Sequence, residues 1–311
     1  MSALDRQARV EWFTAVSQRL GVPLDPAFNL ITAVPINAER FQAMREATLS
    51  YLHACLGPSG KGMVEQAMLE LAATTLANRT PNGVVIPKRE FQVEFNQLQK
   101  IMADWLRDLD LDDLIGQICC PMVVRLAKGE SNPQLELSRP YSSSKIHSDI
   151  WTGEPPNHVG IRIPVLGDIE RTTIEFFHPP VEFEERWMRW LDDYDEAKDL
   201  ASRSPQYPIT LQHGAAYFID GTVLHRTAKK GGGARVSLHV ELRRLIPEQD
   251  RQLADQMSDS GRLAHYLSRE EWYQYGTSKF MRPKDTYEDA LKGIFAKRPA
   301  DEPMYDTVNR L

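Results

Sequence analysis

The 311-residue chain has few cysteines: Cys55, Cys119 and Cys120. An odd number, with two of them adjacent, does not make a disulfide framework, so cohesion has to come from a packed core. Three reduced thiols fit a cytoplasmic protein. Long hydrophobic runs are also missing, and none approaches the roughly 18–20 residues a membrane span needs. The opening MSALDRQARVEWF lacks the apolar core of a secretory signal, so secretion is not expected. Positive charge is in deficit: 37 Lys and Arg stand against 43 Asp and Glu, a formal net charge of −6. Without a basic stripe interleaved with aromatics, neither nucleic acid nor a membrane is an expected partner. What remains is an ordinary globular composition, 42% hydrophobic and 26% charged, on a chain long enough to bury a full core.

Hydrophobic periodicity divides the chain into three stretches. Residues 1–117 read as a helical region, with helices expected over Arg9–Leu20, Ala38–Leu56 (capped by Asn37), Gly62–Ala77 and from after Pro87 to about Leu114. Residues 118–246 change character: the apolar runs become short and β-branched, bounded by Gly and Pro. Strands are expected at Met122–Leu126, Ile146–Trp151, Val159–Val165, Thr172–Phe177, Ile209–Gln212, Ala215–Ile219 and Arg235–Leu242. A helical insertion near 182–201 presents Phe183, Trp187, Trp190, Leu191 and Tyr194 on one face, as core packing, a lid or a dimer contact. Residues 247–311 read as helical again, over Gln249–Met257, Arg269–Tyr275 and Asp285–Phe295. The fold class expected is α+β, a β sandwich or barrel flanked by N- and C-terminal helices.

Histidine is scarce, eight in all, and its placement is informative. His147-Ser148-Asp149 sets an imidazole and a carboxylate two residues apart, which on a strand puts both on one face. His225, after an apolar strand and the Asp220-Gly221 turn, is the best third ligand. Two His and one carboxylate on one side of a metal leave open positions, the arrangement of non-haem iron(II) oxygenases. Downstream, Arg235-Val-Ser237 opens an alternating strand with Arg235, Ser237, His239 and Glu241 on one face. A guanidinium with a hydroxyl two residues on can grip a carboxylate.

These motifs, spread over about Ser144 to Arg243, resemble the iron(II)/2-oxoglutarate-dependent oxygenases with a double-stranded β-helix (jelly-roll, cupin-like) core. Loosely, they are similar to the phytanoyl-CoA hydroxylase-like and small-molecule-tailoring members. The resemblance implies Fe(II) on His147, Asp149 and His225, with 2-oxoglutarate and O2 as co-substrates. Arg235 and Ser237 would bind the far carboxylate of 2-oxoglutarate. It implies oxidation of a substrate C–H bond, with release of succinate and CO2. Hydroxylation is the default outcome, desaturation or oxidative ring closure the variants. Asp149 stands where related halogenases carry a small residue, which argues against halogenation.

Other residues are weaker candidates. Lys145 and Trp151 flank the metal motif and could line a substrate pocket, while Arg162 and Arg171 could contact an anionic group. His239 reads as a hydrogen-bonded core histidine. Gly231-Gly232-Gly233 lacks the flanks of a phosphate loop and reads as a hairpin turn. A small polar substrate is expected, of the kind met in natural-product biosynthesis, and a homodimer is left open. The rival readings are a non-oxidative cupin-type isomerase or epimerase and an inactive binding protein on the same fold.

Overall fold

The computed structural model describes residues 4–130, 132–178, 187, 189–257, 265–275, 277–284 and 305–309. The N-terminal helices begin and end where the local chemistry dictates. Helix α1 (Arg6–Leu20) starts at Asp5, whose carboxylate accepts from the Ala8 N–H, and stops at Gly21 in the left-handed region. After strand β1 (Ile31–Pro35), α2 (Ala38–Leu56) is capped by Asn37 accepting from the Arg40 N–H, as its sequence predicts. Next come α3 (Glu65–Thr75), strand β2 (Val84–Val85) and α4 (Gln92–Asp108). The long α4 buries Phe95, Leu98, Met102, Trp105 and Leu106, a stripe at helical spacing that faces the core.

The chain then builds mainly strands: β3 (Ile115–Cys120), β4 (Val123–Ala127), β5 (His158–Gly167) and β6 (Thr172–Phe177), with the short helix α5 (Pro133–Leu137) after β4. Helix α6 (Lys198–Ser202) precedes β7 (Gln206–Tyr207), β8 (Ala215–Asp220), β9 (Leu224–Lys229) and β10 (Arg235–Arg244). The C-terminal part holds α7 (Glu248–Met257), β11 (His265–Ser268), α8 (Arg269–Gln274) and the antiparallel pair β12 (Lys279–Pro283) and β13 (Tyr305–Asn309).

Two antiparallel sheets form the centre. The larger runs β1-β8-β5-β10-β3-β11, with β4 also on β10 and β2 on β4; the smaller runs β7-β6-β9. Ten-residue β10 organises the larger sheet, pairing with β5 along one edge and with β4, then β3, along the other. Its alternation works as expected: Val236, Leu238, Val240 and Leu242 are fully buried, each contributing about 1.5–3 kcal/mol of transfer free energy. The opposite face carries Arg235, Ser237, His239 and Glu241, and Arg235, His239 and Glu241 line a cavity of about 590 Å3 that both sheets line. The architecture is therefore α+β. No helix among the described residues is long and apolar enough to cross a membrane.

Several local expectations are corrected. Strands β1 and β2 lie inside the stretch read as helical, because each completes an edge: β1 on β8, β2 on β4. In the C-terminal region, β11 extends the large sheet from β3, so the sheet is not confined to residues 118–246. Ile146–Trp151 is not a strand. It makes one bridge at His147 and then a 3-10 turn over Asp149–Thr152 that ends at left-handed Gly153. Ile209–Gln212 is irregular; its anchor is Tyr217, whose hydroxyl accepts from the Gln212 N–H and donates to the Thr210 carbonyl. Among the described residues, the expected helix near 182–201 is helical at Trp187 and over Tyr194–Ala197 (both 3-10) and in α6, with an Asp193 capping box starting the Tyr194 turn. Phe183 and the first part of that segment, like the Asp285–Phe295 helix, lie outside the described residues. The β9–β10 turn takes φ of +82°, +70° and +72° at Gly231, Gly232 and Gly233, which only glycine adopts freely.

Candidate metal centre

The convergence of His147, Asp149 and His225 begins at the end of β8. Asp220 Oδ1 accepts from the Thr222 N–H (2.9 Å) and hydroxyl (2.6 Å), closing a turn that leads into β9. Arg9 of α1 holds the same oxygen at 2.9 Å, and both side chains are buried. From that turn, Gly221 offers its carbonyl to the Ser148 hydroxyl at 2.5 Å. Four residues on, His225 exchanges two backbone hydrogen bonds with His147, at 3.0 and 2.8 Å. The two segments are thereby stitched side by side. The 3-10 turn then swings the Asp149 carboxylate back, bringing its Oδ1 to 3.6 Å from His225 Nε2. One ligand atom from each of the three residues lies within 4.8 Å of the others.

The hydrogen bonds decide which nitrogens are free. His147 Nδ1 is 2.8 Å from the Lys145 carbonyl and His225 Nδ1 is 3.1 Å from the Val223 carbonyl. A carbonyl can only accept, so each Nδ1 carries the proton and each Nε2 presents a lone pair. Burial, and then the neighbouring His225, push His147 down to about 3; burial also lowers His225. Both rings are therefore neutral at physiological pH. Burial alone would raise Asp149, but its charged neighbours, among them Arg162 bonded to Oδ2, outweigh it and hold the carboxylate ionised. Two neutral imidazoles and one carboxylate facing a common point suit a divalent metal such as Fe(II).

Arg162 is built into this centre. It donates to Asp149 Oδ2 (2.9 Å) and to Glu241 (2.9 Å), and His158 Nε2 lies 2.9 Å from the same Glu241. Asp149, His158 and Glu241 also cluster at metal-ligand distances. The guanidinium bonded to both carboxylates already supplies the positive charge there. Across the triad, the Tyr194 ring stacks on His147 at 4.6 Å with planes 9° apart.

The other end of the cavity has cations without anions. Arg235 is 1% exposed, and its Nε and Nη1 have no hydrogen-bond partner. Burial, then the nearby Arg125, push its guanidinium down to about 9. Arg125 lines the same cavity with its Nε also unpartnered. Neither has an acidic partner among the described residues. Ser237 stands opposite Arg125 and two residues from Arg235, and it shares a 3.0 Å hydrogen bond with His239 Nε2, so His239 has the local partner its sequence setting predicts. Buried cations that lack counter-charge fit an anionic ligand.

The four substrate candidates separate clearly. Arg162 lines the cavity, but as the holder of Asp149 and Glu241. Lys145 is buried and ion-paired with Asp193 (2.9 Å) and Asp195 (2.6 Å). Trp151 is fully buried, its indole N–H donating to the Trp187 carbonyl. The Arg171 side chain is 65% exposed and pairs with Asp168. These last three are outside the cavity wall. Sequence reasoning did not single out Arg125 or Tyr194 as cavity residues. The available signal for Arg125 was a lone charge inside the apolar run Met122-Val-Val-Arg-Leu126; for Tyr194 there was none beyond its place in an aromatic segment.

No protein-family model matches the sequence, and no curated protein matches it. Solved structures similar to this chain include the non-heme alpha-ketoglutarate-dependent carbocyclase SnoK from nogalamycin biosynthesis, at 12% identity, covering 99% of this chain and 98% of that one with a TM-score of 0.41. AviO1 from Streptomyces viridochromogenes Tue57 is similar at 13% identity over 79% of this chain and 99% of its own, TM-score 0.41. An N-substituted L-amino acid dioxygenase from Burkholderia ambifaria AMMD is similar at 11% identity over 75% and 91%, TM-score 0.35.

Proposed function

We propose that this chain is a non-haem Fe(II)/2-oxoglutarate-dependent oxygenase that oxidises a small polar molecule, with its two sheets forming a double-stranded β-helix. The observation that carries the reading is a juxtaposition. A two-histidine, one-carboxylate triad and two guanidiniums without counter-anions share one cavity. The triad suits Fe(II), and the guanidiniums suit the carboxylates of a chelating oxo-acid. Bound together, iron and 2-oxoglutarate would supply O2 activation for C–H oxidation.

The chain's own residues supply the rest. His147 and His225 present Nε2 because backbone carbonyls hold their Nδ1 protons. Arg162 fixes Asp149 by one oxygen and leaves the other toward the triad. Arg235 and Ser237 orient the far end of the oxo-acid. Val84, Val85, Ile86, Pro121, Met122 and Val123 give the cavity an apolar wall that limits water. Thr80, Asn82, Ser143 and Thr227 add neutral polar groups, which suits a compact substrate bearing hydroxyl or amide functions. The reading places the protein in the cytoplasm, with hydroxylation as the default outcome.

The test is a substrate screen on iron-loaded protein with 2-oxoglutarate and O2. Succinate release, coupled to a product that gains one oxygen or loses two hydrogens, is the expected result. Absence of both oxo-acid binding and succinate formation from the iron-loaded protein overturns the reading.

A further inference from the structure

We propose that Arg125 is the second cation of the oxo-acid site, taking the carboxylate beside the keto group while Arg235 takes the far one. The inference rests on the oxygenase reading and deepens it. Three observations support it.

The first is register. Arg125 on β4 stands directly opposite Ser237 on β10, and Arg235 is two residues along the same strand. Directly opposed residues share a face of the sheet, and so do residues two apart. Arg125, Ser237 and Arg235 therefore form one patch of that sheet face, from which both arginines line the cavity.

The second is order along the cavity. Along β10, Arg235, Ser237 and His239 follow one another on the same face; Arg125 stands opposite Ser237, and Arg162, which is bonded to Asp149, stands opposite His239. Arg125 thus lies between the triad and Arg235. A dicarboxylate anchored at the metal by its keto-acid end, with its other end at Arg235, passes Arg125 with its near carboxylate.

The third is charge balance. Arg162 is already matched by Asp149 and Glu241. Arg125 and Arg235 have no acidic partner among the described residues. A single carboxylate neutralises one of them, whereas a dianion neutralises both. Two like charges in a water-poor cavity repel, so the dianion also relieves their mutual cost.

The test compares two oxo-acids by calorimetry on the metal-loaded full-length protein without oxygen. 2-Oxoglutarate carries both carboxylates; 2-oxobutyrate carries only the one beside the keto group. Arg125→Gln is expected to weaken both acids alike, roughly 10- to 100-fold, the loss of one charge-assisted pair. Arg235→Gln is expected to weaken 2-oxoglutarate to a similar degree while 2-oxobutyrate binds as in the wild type. If Arg125→Gln leaves 2-oxobutyrate binding unchanged, the assignment of the near carboxylate is wrong. Should that variant fail to fold, Arg125→Lys keeps the charge without the fork and is read by the same criterion. Both acids weakened supports the proposal; 2-oxoglutarate alone weakened overturns it. A metal-loaded wild-type protein that binds neither acid refutes the oxygenase reading itself, a result distinct from failure of the Arg125 assignment.

Discussion

Arg162 decides what Asp149 can offer a metal. Its bond to Oδ2 leaves Oδ1 facing His225, so the carboxylate presents one oxygen and the adjoining positions stay open. Arg162→Met keeps much of the apolar stem and removes the charge, leaving Asp149 and Glu241 without their shared cation. Metal affinity, measured by chelator competition, is expected to fall about 10- to 100-fold; unchanged affinity would show that Asp149 needs no such holder. His239 gives a pH prediction at the same scale. Burial first, then Arg162, Arg125 and Arg235, hold it well below its ordinary 6.5. The unfolded chain therefore takes up a proton near pH 6.5 that the folded chain refuses, and stability is lost as pH falls below that value. One such histidine costs about 1.4 kcal/mol between about pH 7.5 and about pH 5.5. Denaturant melts of metal-free His239→Gln should show a loss smaller than wild type by about that amount; an identical loss would mean His239 is protonated in the fold. The residues proposed as ligands and clamp could be picked out in the sequence because the motif names its chemistry through residue type and spacing. Arg125 could not, because what matters about it is the absence of an anion nearby, and only the fold displays that.

At the scale of elements, the segment from Trp187 to Ser202 acts as a strap over the triad. The Trp151 indole donates to the Trp187 carbonyl, the Leu191 N–H to the Trp151 carbonyl, and the Tyr194 N–H to the Pro140 carbonyl. Lys145 fastens the strap through Asp193 and Asp195, which places the Tyr194 ring on His147. Lys145→Met removes the fastening and leaves the two carboxylates, both substantially exposed, to solvent. Limited trypsin digestion is expected to cut at Arg189 and Lys198 several-fold faster than in the wild type, with far-UV circular dichroism unchanged. Equal cutting rates would show that the backbone bonds alone hold the strap. The sequence reading placed Ala38–Leu56 and Thr172–Phe177 at their observed bounds, because their periodicity and capping are local. It missed Ile31–Pro35, which is a strand because β8 offers it an edge. It also read a strand where the metal motif makes a 3-10 turn, because Gly153 and the bonds to Gly221 bend the chain there. Short segments take their conformation from partners that sequence patterns do not reveal.

Across the whole molecule, the first helix reaches the metal centre through one ion pair. Arg9 and Asp220 are 211 residues apart in sequence, and their side chains are essentially inaccessible. Asp220 closes the turn that delivers His225, so the N-terminal helix bears on the position of a candidate ligand. Nothing in the sequence order announces this connection, since it exists only once β1 has carried the N-terminal region onto the edge of β8. Breaking a buried pair by removing one partner costs about 3–5 kcal/mol, because the other charge is left uncompensated. Arg244 lies near enough to lower Asp220 as well, which places the expected loss for Arg9→Met toward the smaller of those values. If the turn also holds His225 in place, Arg9→Met weakens metal binding in protein that is still folded, with no change at any ligand. Adding Asp220→Asn removes the stranded charge and should recover part of the stability, but not the metal affinity, because the side chain that closed the turn is altered too. Denaturant melts and chelator competition on the two variants separate the effects. Full metal affinity in folded Arg9→Met protein would show that the helix supports the fold without tuning the site.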